Sequence, residues 1–202
     1  MSFLVIDRKC MNKIYTVGNP EIELYSFKTK EEAEYYLQYG HKKKVNTINK
    51  INTIKVFTDG SRSMNGTKNA KAGIGVYFKE NDQRNISRRI TGKQTNNTAE
   101  LSAVIEVFSI LKDEIQSNQE ITIYSDSTYT IRWCGEYGRK CERNGFQSQK
   151  PIPNLELGKE LYLLCKENPN VKIEHIRAHT GLTDELSLGN EGADMMANLA
   201  IG

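Results

Sequence analysis

The sequence predicts an α/β domain with a mixed five-stranded sheet, three strands antiparallel and two parallel, and helices on both faces. Three strand-like segments, TIKVFTD, AGIGVYF and NISRRIT, follow one another closely enough to form an antiparallel meander. Helical and strand-like segments then alternate, which is typical of parallel pairing. A polar stretch separates all of these segments from a short N-terminal unit, for which we expect a small α+β appendage.

The N-terminal unit is predicted at residues 1–40. FLVI and KIYTV are strand-like, and GNP is a turn. TKEEAEYYLQYG is a predicted helix, because Thr29 with Glu32 three residues later forms a capping box and Gly40 ends the pattern. The polar residues 41–51 are interpreted as a linker.

The rest of the chain, residues 52–202, is predicted to form one domain. NTAELSAVIEVFSILKDE is amphipathic, with these apolar side chains on one helical face: Leu101, Val104, Ile105, Phe108 and Leu111. Further along the chain, ITIYSD and VKIEHIRA are predicted strands. The remaining predicted helices are STYTIRWCGEY, which contains a tryptophan expected in the core, LELGKELYLLCKE and NEGADMMANLA.

The composition excludes several classes of protein. Of 202 residues, 38% are hydrophobic, which is enough for one good core, and the net charge of +3 is compatible with a polyanionic partner. No segment approaches the ~20 apolar residues of a membrane span, and the N-terminus is not typical of a signal peptide. The cysteines lack zinc-type or disulfide-type spacing: Cys10, Cys134, Cys141 and Cys165. We therefore expect a soluble monomer of the cytoplasm or nucleus, not a secreted protein.

Four acidic residues lie where chemistry is expected. Asp59 and Asp126 each end a predicted strand, Glu100 borders the apolar face of the long helix, and Asp194 lies on the last helix. Each has an ordinary explanation when taken alone. Strand-end aspartates form turns and cap helices, a first-turn glutamate is favoured by the helix dipole, and a helical aspartate is often solvated.

The combination of these acids favours a metal site. In an open α/β sheet, sites form beyond the carboxyl ends of the strands. Carboxylates that converge there repel one another unless a cation is present, and all-oxygen ligands suit Mg²⁺ or Mn²⁺. Two such ions about 3.5–4 Å apart can clamp the attacking and leaving oxygens of a phosphodiester displacement. The small residues after Asp59 would then let a nucleic-acid backbone approach this carboxylate.

Four motifs together resemble type 1 ribonuclease H, the cellular enzyme that cuts RNA in RNA–DNA hybrids. They are FTDGS, TGKQTNNTAEL, IYSDST and AHTGLTDELSLGNEGADMMANLA, and they cover about residues 52–202 in family order. The resemblance implies a ribonuclease H-like sheet and an endonuclease that hydrolyses the RNA strand with little sequence specificity, leaving 5′-phosphate and 3′-hydroxyl ends. It implies two Mg²⁺ ions, for which Mn²⁺ can substitute. The implied metal ligands, which are also catalytic, are Asp59, Glu100, Asp126 and Asp194.

The resemblance implies further roles around the metal site. His179 would assist product departure or proton transfer, although its loop is longer than the commonest one and includes Asp184 and Glu185. Glu191 would be a further acid close to the active site. Asparagine amides both donate and accept, which suits the RNA 2′-hydroxyl. The candidate RNA-binding residues are Ser61 and Arg62 through their backbone amides, and Asn65, Asn96 and Asn97.

The DNA strand has its own implied contacts. Lys93, Thr95 and Asn154 match the family's DNA-phosphate pocket, and EYGRKCERNGFQSQK resembles its basic handle. Tyr137 and Phe146 fall where the family places aromatic residues, whereas Cys141 falls where another is often found. Candidate phosphate contacts of the handle are Arg139, Lys140, Arg143 and Lys150, for which a solvated face is the alternative.

Other interpretations stay open. The chain could be a non-catalytic module that binds hybrids, although it retains all four acids. It could be another nuclease of the same fold, such as a resolvase or an integrase, although GKQTNNTAE and GNEGAD favour ribonuclease H. YSFKTKEEAEYYL is similar to the end of the family's hybrid-binding domain, so the N-terminal unit is either a divergent form of that domain or an appendage without a binding role.

Overall fold

The computed structural model describes residues 3–7, 14–18, 24–27, 34, 38, 53–63, 70–178 and 181–202. The chain divides into two compact units, Met1–Lys50 and Ile51–Gly202. Several sequence predictions lie outside the described residues. They are the capping box at Thr29, the linker, and the roles of Cys10, Asn65 and His179.

The first unit contains a three-stranded antiparallel sheet. Its strands are β1 (Phe3–Asp7), β2 (Ile14–Gly18) and β3 (Leu24–Phe27), with β2 in the centre. The first two match the predicted segments FLVI and KIYTV. Glu34 and Gln38, four residues apart, have helical backbone within the segment predicted to be a helix.

The second unit contains the predicted five-stranded mixed sheet. Its strands are β4 (Ile54–Ser63), β5 (Lys71–Tyr77), β6 (Ile86–Arg89), β7 (Ile121–Ser125) and β8 (Val171–His175). The order is β6-β5-β4-β7-β8. The β4–β5 and β5–β6 pairs are antiparallel, and the β4–β7 and β7–β8 pairs are parallel. The antiparallel meander and the two parallel strands are therefore confirmed.

The sequence predicted that the first strand of the meander ends at Asp59. In the structure this strand, β4, continues to Ser63. The four residues that follow stay paired with β5, from Gly60 opposite Ile74 to Ser63 opposite Lys71. The aspartate is therefore an internal strand residue whose neighbours on both sides are hydrogen-bonded into the sheet. This pairing holds its backbone more firmly than a loop would.

The helices of the second unit are α1 (Asn96–Ile110), α2 (Lys112–Gln116), α3 (Thr128–Cys134), α4 (Glu136–Arg143), α5 (Leu155–Glu167) and α6 (Glu185–Leu199). The predicted single helix STYTIRWCGEY is in fact α3 and the start of α4, because Gly135 between them has φ −115° and ψ −115°. None of the helices in the described part of the chain is long and apolar enough to cross a membrane.

Helix α6 begins five residues before the predicted segment NEGADMMANLA. The Asp184 side chain accepts hydrogen bonds from the backbone N–H groups of Leu186 and Ser187 and so caps the helix. Asp184 and Glu185 were predicted to belong to a lengthened loop. Instead they start an extra turn of helix, because an aspartate at this position satisfies backbone donors that would otherwise lack partners.

The main core lies between the sheet and helices α1, α3 and α5. Leu101 and Val104 of α1 and Leu111, which directly follows the helix, are fully buried, as the periodicity predicted. Trp133 is also fully buried, which confirms its predicted place in the core. A Cβ atom on Gly158 of α5 would lie 2.2 Å from its indole ring, so a larger residue there would displace the helix.

Two glycines let helices α1 and α6 come unusually close to the sheet near Asp59. A Cβ atom on Gly60 would lie 2.5 Å from the backbone nitrogen of Glu100, and one on Gly75 would lie 2.0 Å from the carbonyl oxygen of Ala193. Gly75 is also the strand partner of Asp59. The space beside Gly60, which the sequence suggested was left for a nucleic acid, is therefore occupied by α1.

The Gly75→Ala variant should be less stable by roughly 1–3 kcal/mol, because the added methyl group overlaps the α6 backbone. Urea unfolding would measure the change. The control is Ser87→Ala on β6, an exposed strand partner of Gly75, which should change stability by no more than about 0.5 kcal/mol. Equal stability of the two variants would contradict the close helix contact.

Candidate active site

Three carboxylates from separate elements converge where β7 ends beside the middle of β4. Asp59 of β4, Glu100 of α1 and Asp126 after β7 each offer an oxygen atom, and these atoms lie within 4.8 Å of one another. The parallel register explains part of this convergence, because Thr58 is paired with Ser125 and an aspartate follows each of them. The arrangement places three negative groups in a volume that suits a cation.

Asp59 is almost inaccessible to solvent, with 7% of its surface exposed. Its Oδ1 atom accepts a hydrogen bond of 2.8 Å from the backbone N–H of Gly60. Burial and the negative charge of Asp126, with a smaller contribution from Asp194, raise its pKa to about 7, although the Gly60 bond opposes them. Without a cation, this carboxyl group therefore holds its proton up to neutral pH.

Glu100 is 5% exposed and lies on the sheet side of α1. Its Oε1 atom accepts a hydrogen bond of 3.1 Å from the side-chain amide of Asn96. Its Oε2 atom is buried and has no hydrogen-bond partner within the described part of the chain. Burial, followed by the charges of Asp59 and Asp126, raises its pKa to about 9. A buried oxygen of this kind needs a proton or a cation.

Asp194 approaches the cluster from α6, and its carboxyl group is close enough to Asp59 to raise the pKa of that residue. Its Oδ1 atom accepts a hydrogen bond of 3.0 Å from the side-chain amide of Asn198. The Oδ1 atom of Asn198 in turn accepts a hydrogen bond from the Ser61 hydroxyl. This chain of contacts fixes the Asp194 carboxylate relative to β4.

Two asparagines that contact these acids were not predicted from the sequence. Asn198 lies four residues after Asp194, a spacing that brings side chains together on a helix, so the sequence did contain a signal. Asn190 is 2% exposed and donates from Nδ2 to Asp126 across 3.5 Å, and its Oδ1 atom has no partner among the described residues. A sequence separation of 64 between Asn190 and Asp126 left no local signal for this second contact.

The other residues predicted around the metal site lie in different settings. Asn96 contacts Glu100 directly, whereas Asn97 is exposed on the first turn of α1. Glu191 is exposed on α6, three residues before Asp194, and its role near the active site stays a prediction. Ser61 is tied through its hydroxyl to α6, so its side chain has a structural contact besides the predicted RNA contact of its backbone.

Two of the three residues predicted for the DNA-phosphate pocket contact each other. The ammonium group of Lys93 donates to Oδ1 of Asn154 at 3.4 Å, and Nδ2 of Asn154 donates to the Tyr129 hydroxyl at 3.2 Å. The hydroxyl group of Thr95, the third residue, caps the N-terminus of α1. Lys93 and Thr95 stay close through a backbone hydrogen bond of 3.2 Å.

The aromatic residues of the predicted handle pack inward. The ring of Tyr137 lies edge-on to Trp133 at 4.9 Å between centroids, and that of Phe146 packs at 6.3 Å from Tyr162. Both rings are partly buried against the main core, and Cys141 is 6% exposed. The basic residues of the handle are all exposed: Arg139, Lys140, Arg143 and Lys150.

Comparison with known proteins identifies similar sequences. The family model described as RNase H matches residues 51–201. Ribonuclease H of Schizosaccharomyces pombe is 34% identical over 175 residues, which cover 85% of this chain and 61% of that protein. Ribonuclease H1 of Homo sapiens is 31% identical over 146 residues, which cover 71% of this chain and 48% of that protein. The chain thus spans about half to three-fifths of the length of these relatives.

Solved structures share the fold of the second unit. The RNase H domain of PFV superposes with a TM-score of 0.58 at 24% identity, covering 72% of this chain and 92% of that chain. An RNase H1 isolated from compost superposes with a TM-score of 0.51 at 26% identity, covering 74% of this chain and 96% of that one. A foamy viral protease-reverse transcriptase in complex with an RNA/DNA hybrid has a TM-score of 0.57 at 24% identity, with 75% of this chain and 20% of that chain covered.

Without divalent cations, the stability of the protein should fall as pH rises. The pKa values of Asp59 and Glu100 are about 7 and about 9 in the folded chain, against 3.8 and 4.5 for unperturbed groups. Between these limits the folded chain binds more protons than the unfolded chain, so unfolding becomes easier with each step in pH. The loss of stability is absent below the unperturbed pKa values, where both states are protonated. It is complete above the pKa values of the folded chain, where both states are ionised.

Urea unfolding at pH 5, 7 and 9 in the presence of a chelator would measure this fall. The Glu100→Gln variant is the control, because glutamine cannot ionise and should remove the part of the fall that extends toward pH 9. An identical pH dependence in both proteins would contradict the raised pKa of Glu100.

The Asn198→Ala variant should bind divalent cations about 10-fold more weakly, the lower end of the effect seen when a partner of a metal ligand is removed. The alanine cannot hold the Asp194 carboxylate in place. The rise in unfolding temperature on titration with Mn²⁺ would measure the affinity. Asn97→Ala, which removes an exposed amide from α1, should leave the titration midpoint unchanged. A wild-type midpoint for Asn198→Ala would refute the positioning role.

Proposed function

The chain belongs to the RNase H family, and from this premise we propose that it is an endonuclease that hydrolyses the RNA strand of RNA–DNA hybrids. The observation that carries the proposal is the cluster of Asp59, Glu100 and Asp126, whose oxygens lie within 4.8 Å of one another. Metal-assisted hydrolysis of a phosphodiester uses groups that hold cations beside the scissile phosphate, and this cluster offers such groups at the carboxyl end of β7.

The donor set fits a hard divalent cation. All the candidate ligands are carboxylate oxygens, which suit Mg²⁺, with Mn²⁺ as a substitute. The buried Oε2 atom of Glu100 has no hydrogen-bond partner in the described chain, as expected of an atom that takes a metal. We propose that Asp59, Glu100, Asp126 and Asp194 hold two ions. When bound, these ions would supply charge stabilisation to an attacking water and to the departing 3′ oxygen; breaking of the P–O3′ bond would leave 5′-phosphate and 3′-hydroxyl products.

The side chains themselves orient the site. Asn96 holds one oxygen of Glu100, and the chain from Ser61 through Asn198 holds Asp194. These donors are neutral, so they fix the carboxylates without removing the charge that a cation needs. His179 is proposed to assist proton transfer or product departure, and Glu191 to act as a further acid beside the site.

Substrate selection is proposed to come from contacts with both strands rather than with base edges. Ser61, Asn65, Asn96 and Asn97 would contact the RNA strand, where an amide can both donate to and accept from a 2′-hydroxyl. Lys93, Thr95 and Asn154 would contact the DNA strand, with the exposed basic residues of α4 and its following loop adding phosphate contacts. Tyr137 and Phe146 would serve this handle mainly by packing beneath it.

The first unit is proposed to be a divergent hybrid-binding domain. Its three-stranded sheet with following helical residues is compatible with the resemblance seen in the sequence. The similarity to the Schizosaccharomyces pombe protein covers 175 residues, more than Ile51–Gly202 contains, so it extends into this unit. An intracellular monomer remains part of the proposal.

Cleavage of an end-labelled RNA–DNA duplex tests the proposed function. Single-stranded RNA, RNA–RNA and DNA–DNA duplexes serve as parallel substrates, each with Mg²⁺ or with a chelator. We expect Mg²⁺-dependent cutting of the RNA strand of the hybrid alone. Binding of the hybrid without cutting would indicate a non-catalytic module instead, and cutting of DNA would indicate another nuclease of the same fold.

The Asp59→Asn variant should lose cleavage by at least about 100-fold, because a neutral amide binds the cations poorly. Its unfolding curve should show an intact fold.

His179→Ala should slow turnover in the same cleavage assay without abolishing it. For Asp59→Asn, near-normal cleavage of the RNA–DNA duplex would refute the assignment of Asp59 to the metal site.

A further inference from the structure

Asn154 has an unusual backbone and side-chain arrangement for a residue that starts a helix. It is the N-cap of α5, yet its φ of 52° and ψ of 38° are left-handed, and its side chain does not cap the helix. An asparagine at this position ordinarily accepts a hydrogen bond from a backbone N–H of the first turn. Here the amide is directed to other partners, and the left-handed backbone is one that asparagine tolerates.

The Tyr129 hydroxyl holds this amide from one side. It accepts a hydrogen bond of 3.2 Å from Nδ2 of Asn154 and donates one of 3.1 Å to the carbonyl oxygen of Pro153. On the other side, Lys93 donates to Oδ1 of Asn154 at 3.4 Å. Because an ammonium group can only donate, these contacts define which end of the amide faces Lys93.

The resulting group of donors suits a phosphodiester. The ammonium of Lys93 is exposed and positively charged. The second N–H of the Asn154 amide has no acceptor among the described residues, so both groups can donate to the same anionic oxygens. A charge-assisted bond from an ammonium together with an oriented amide N–H is a strong combination for phosphate.

Tyr129 also connects these donors to the carboxylate cluster. It lies in the first turn of α3, three residues after Asp126, and Ser127 caps that turn by accepting a bond from the N–H of Thr130. This short turn therefore links a cluster carboxylate to the donor that Tyr129 orients. A phosphate bound at Asn154 would be positioned relative to the bond to be cut through this link.

We propose that Tyr129 is a positioning residue, which orients Asn154 to bind a phosphate of the DNA strand and thereby places the hybrid over the carboxylate cluster. This inference rests on the proposed function for the identity of the duplex. It assigns to the Tyr129 hydroxyl a role in strand recognition, separate from any contact with the reacting atoms.

The Tyr129→Phe variant tests the inference because it removes only the hydroxyl group. The control is Tyr77→Phe on β5. Tyr77 is a half-buried tyrosine that belongs neither to the carboxylate cluster nor to the donors around Asn154. Fluorescence anisotropy of a labelled hybrid in chelator measures binding without requiring cleavage. We expect the Kd of Tyr129→Phe to rise about 5-fold or more, as for loss of one oriented hydrogen bond, and that of Tyr77→Phe to stay within about twofold. An unchanged Kd for Tyr129→Phe would overturn the inference, whether or not the wild-type protein cleaves.

A second measurement separates positioning from general damage. Hybrids that carry one neutral methylphosphonate linkage, moved along the DNA strand, should bind the wild-type protein weakly at one particular position. Tyr129→Phe should show a smaller positional sensitivity, because the Lys93 ammonium is still present, and combining it with Asn154→Ala should weaken binding no further than Asn154→Ala alone. Undiminished sensitivity or additive losses would refute the role. With Mg²⁺ present, Tyr129→Phe is expected to cleave the hybrid with a raised KM and an unchanged kcat. If the wild-type protein did not cleave the hybrid, that result would contradict the proposed function but not the role of Tyr129 in binding.

Discussion

The close contact between two helices and the sheet beside Asp59 is the constraint on which the site depends. Gly60 and Gly75 have no Cβ atoms, so the backbones of α1 and α6 lie where those atoms would be. Glu100 is the residue whose backbone touches Gly60, and Asp194 follows the residue that touches Gly75. Any side chain at either glycine would move a helix outward and carry its carboxylate away from the cluster.

This packing buries carboxylates close together, and no positively charged side chain is seen to pair with them among the described residues. Asp59 and Glu100 are buried next to each other and to Asp126, and their pKa values rise accordingly. Asparagine amides, at Asn96 and Asn198 in particular, hold the carboxylates in position. Amides orient an anion without cancelling its charge, so the buried carboxylates still need protons or cations.

Much of the fold could be predicted because local patterns agreed with it. The strands of the meander and the buried stripe of α1 followed from alternation and helical periodicity. The element ends were harder to predict. Strand β4 continues past Asp59 because β5 supplies pairing partners, and α6 starts early because Asp184 caps it. A sequence pattern shows where apolar residues recur. A strand or helix ends where its backbone groups no longer have hydrogen-bond partners in that element, and the pattern does not show this.

For the site, the sequence by itself determined the kinds of residue present, their order and, through family-like motifs, which four acids to consider. It also contained the i, i+4 spacing between Asp194 and Asn198. Only the tertiary structure decided that Asn190 reaches Asp126, that Tyr129 holds Asn154, and that Gly60 faces a helix instead of open space. The physical reason is that these contacts join residues far apart in the chain, and their distances depend on how helices and sheet pack together.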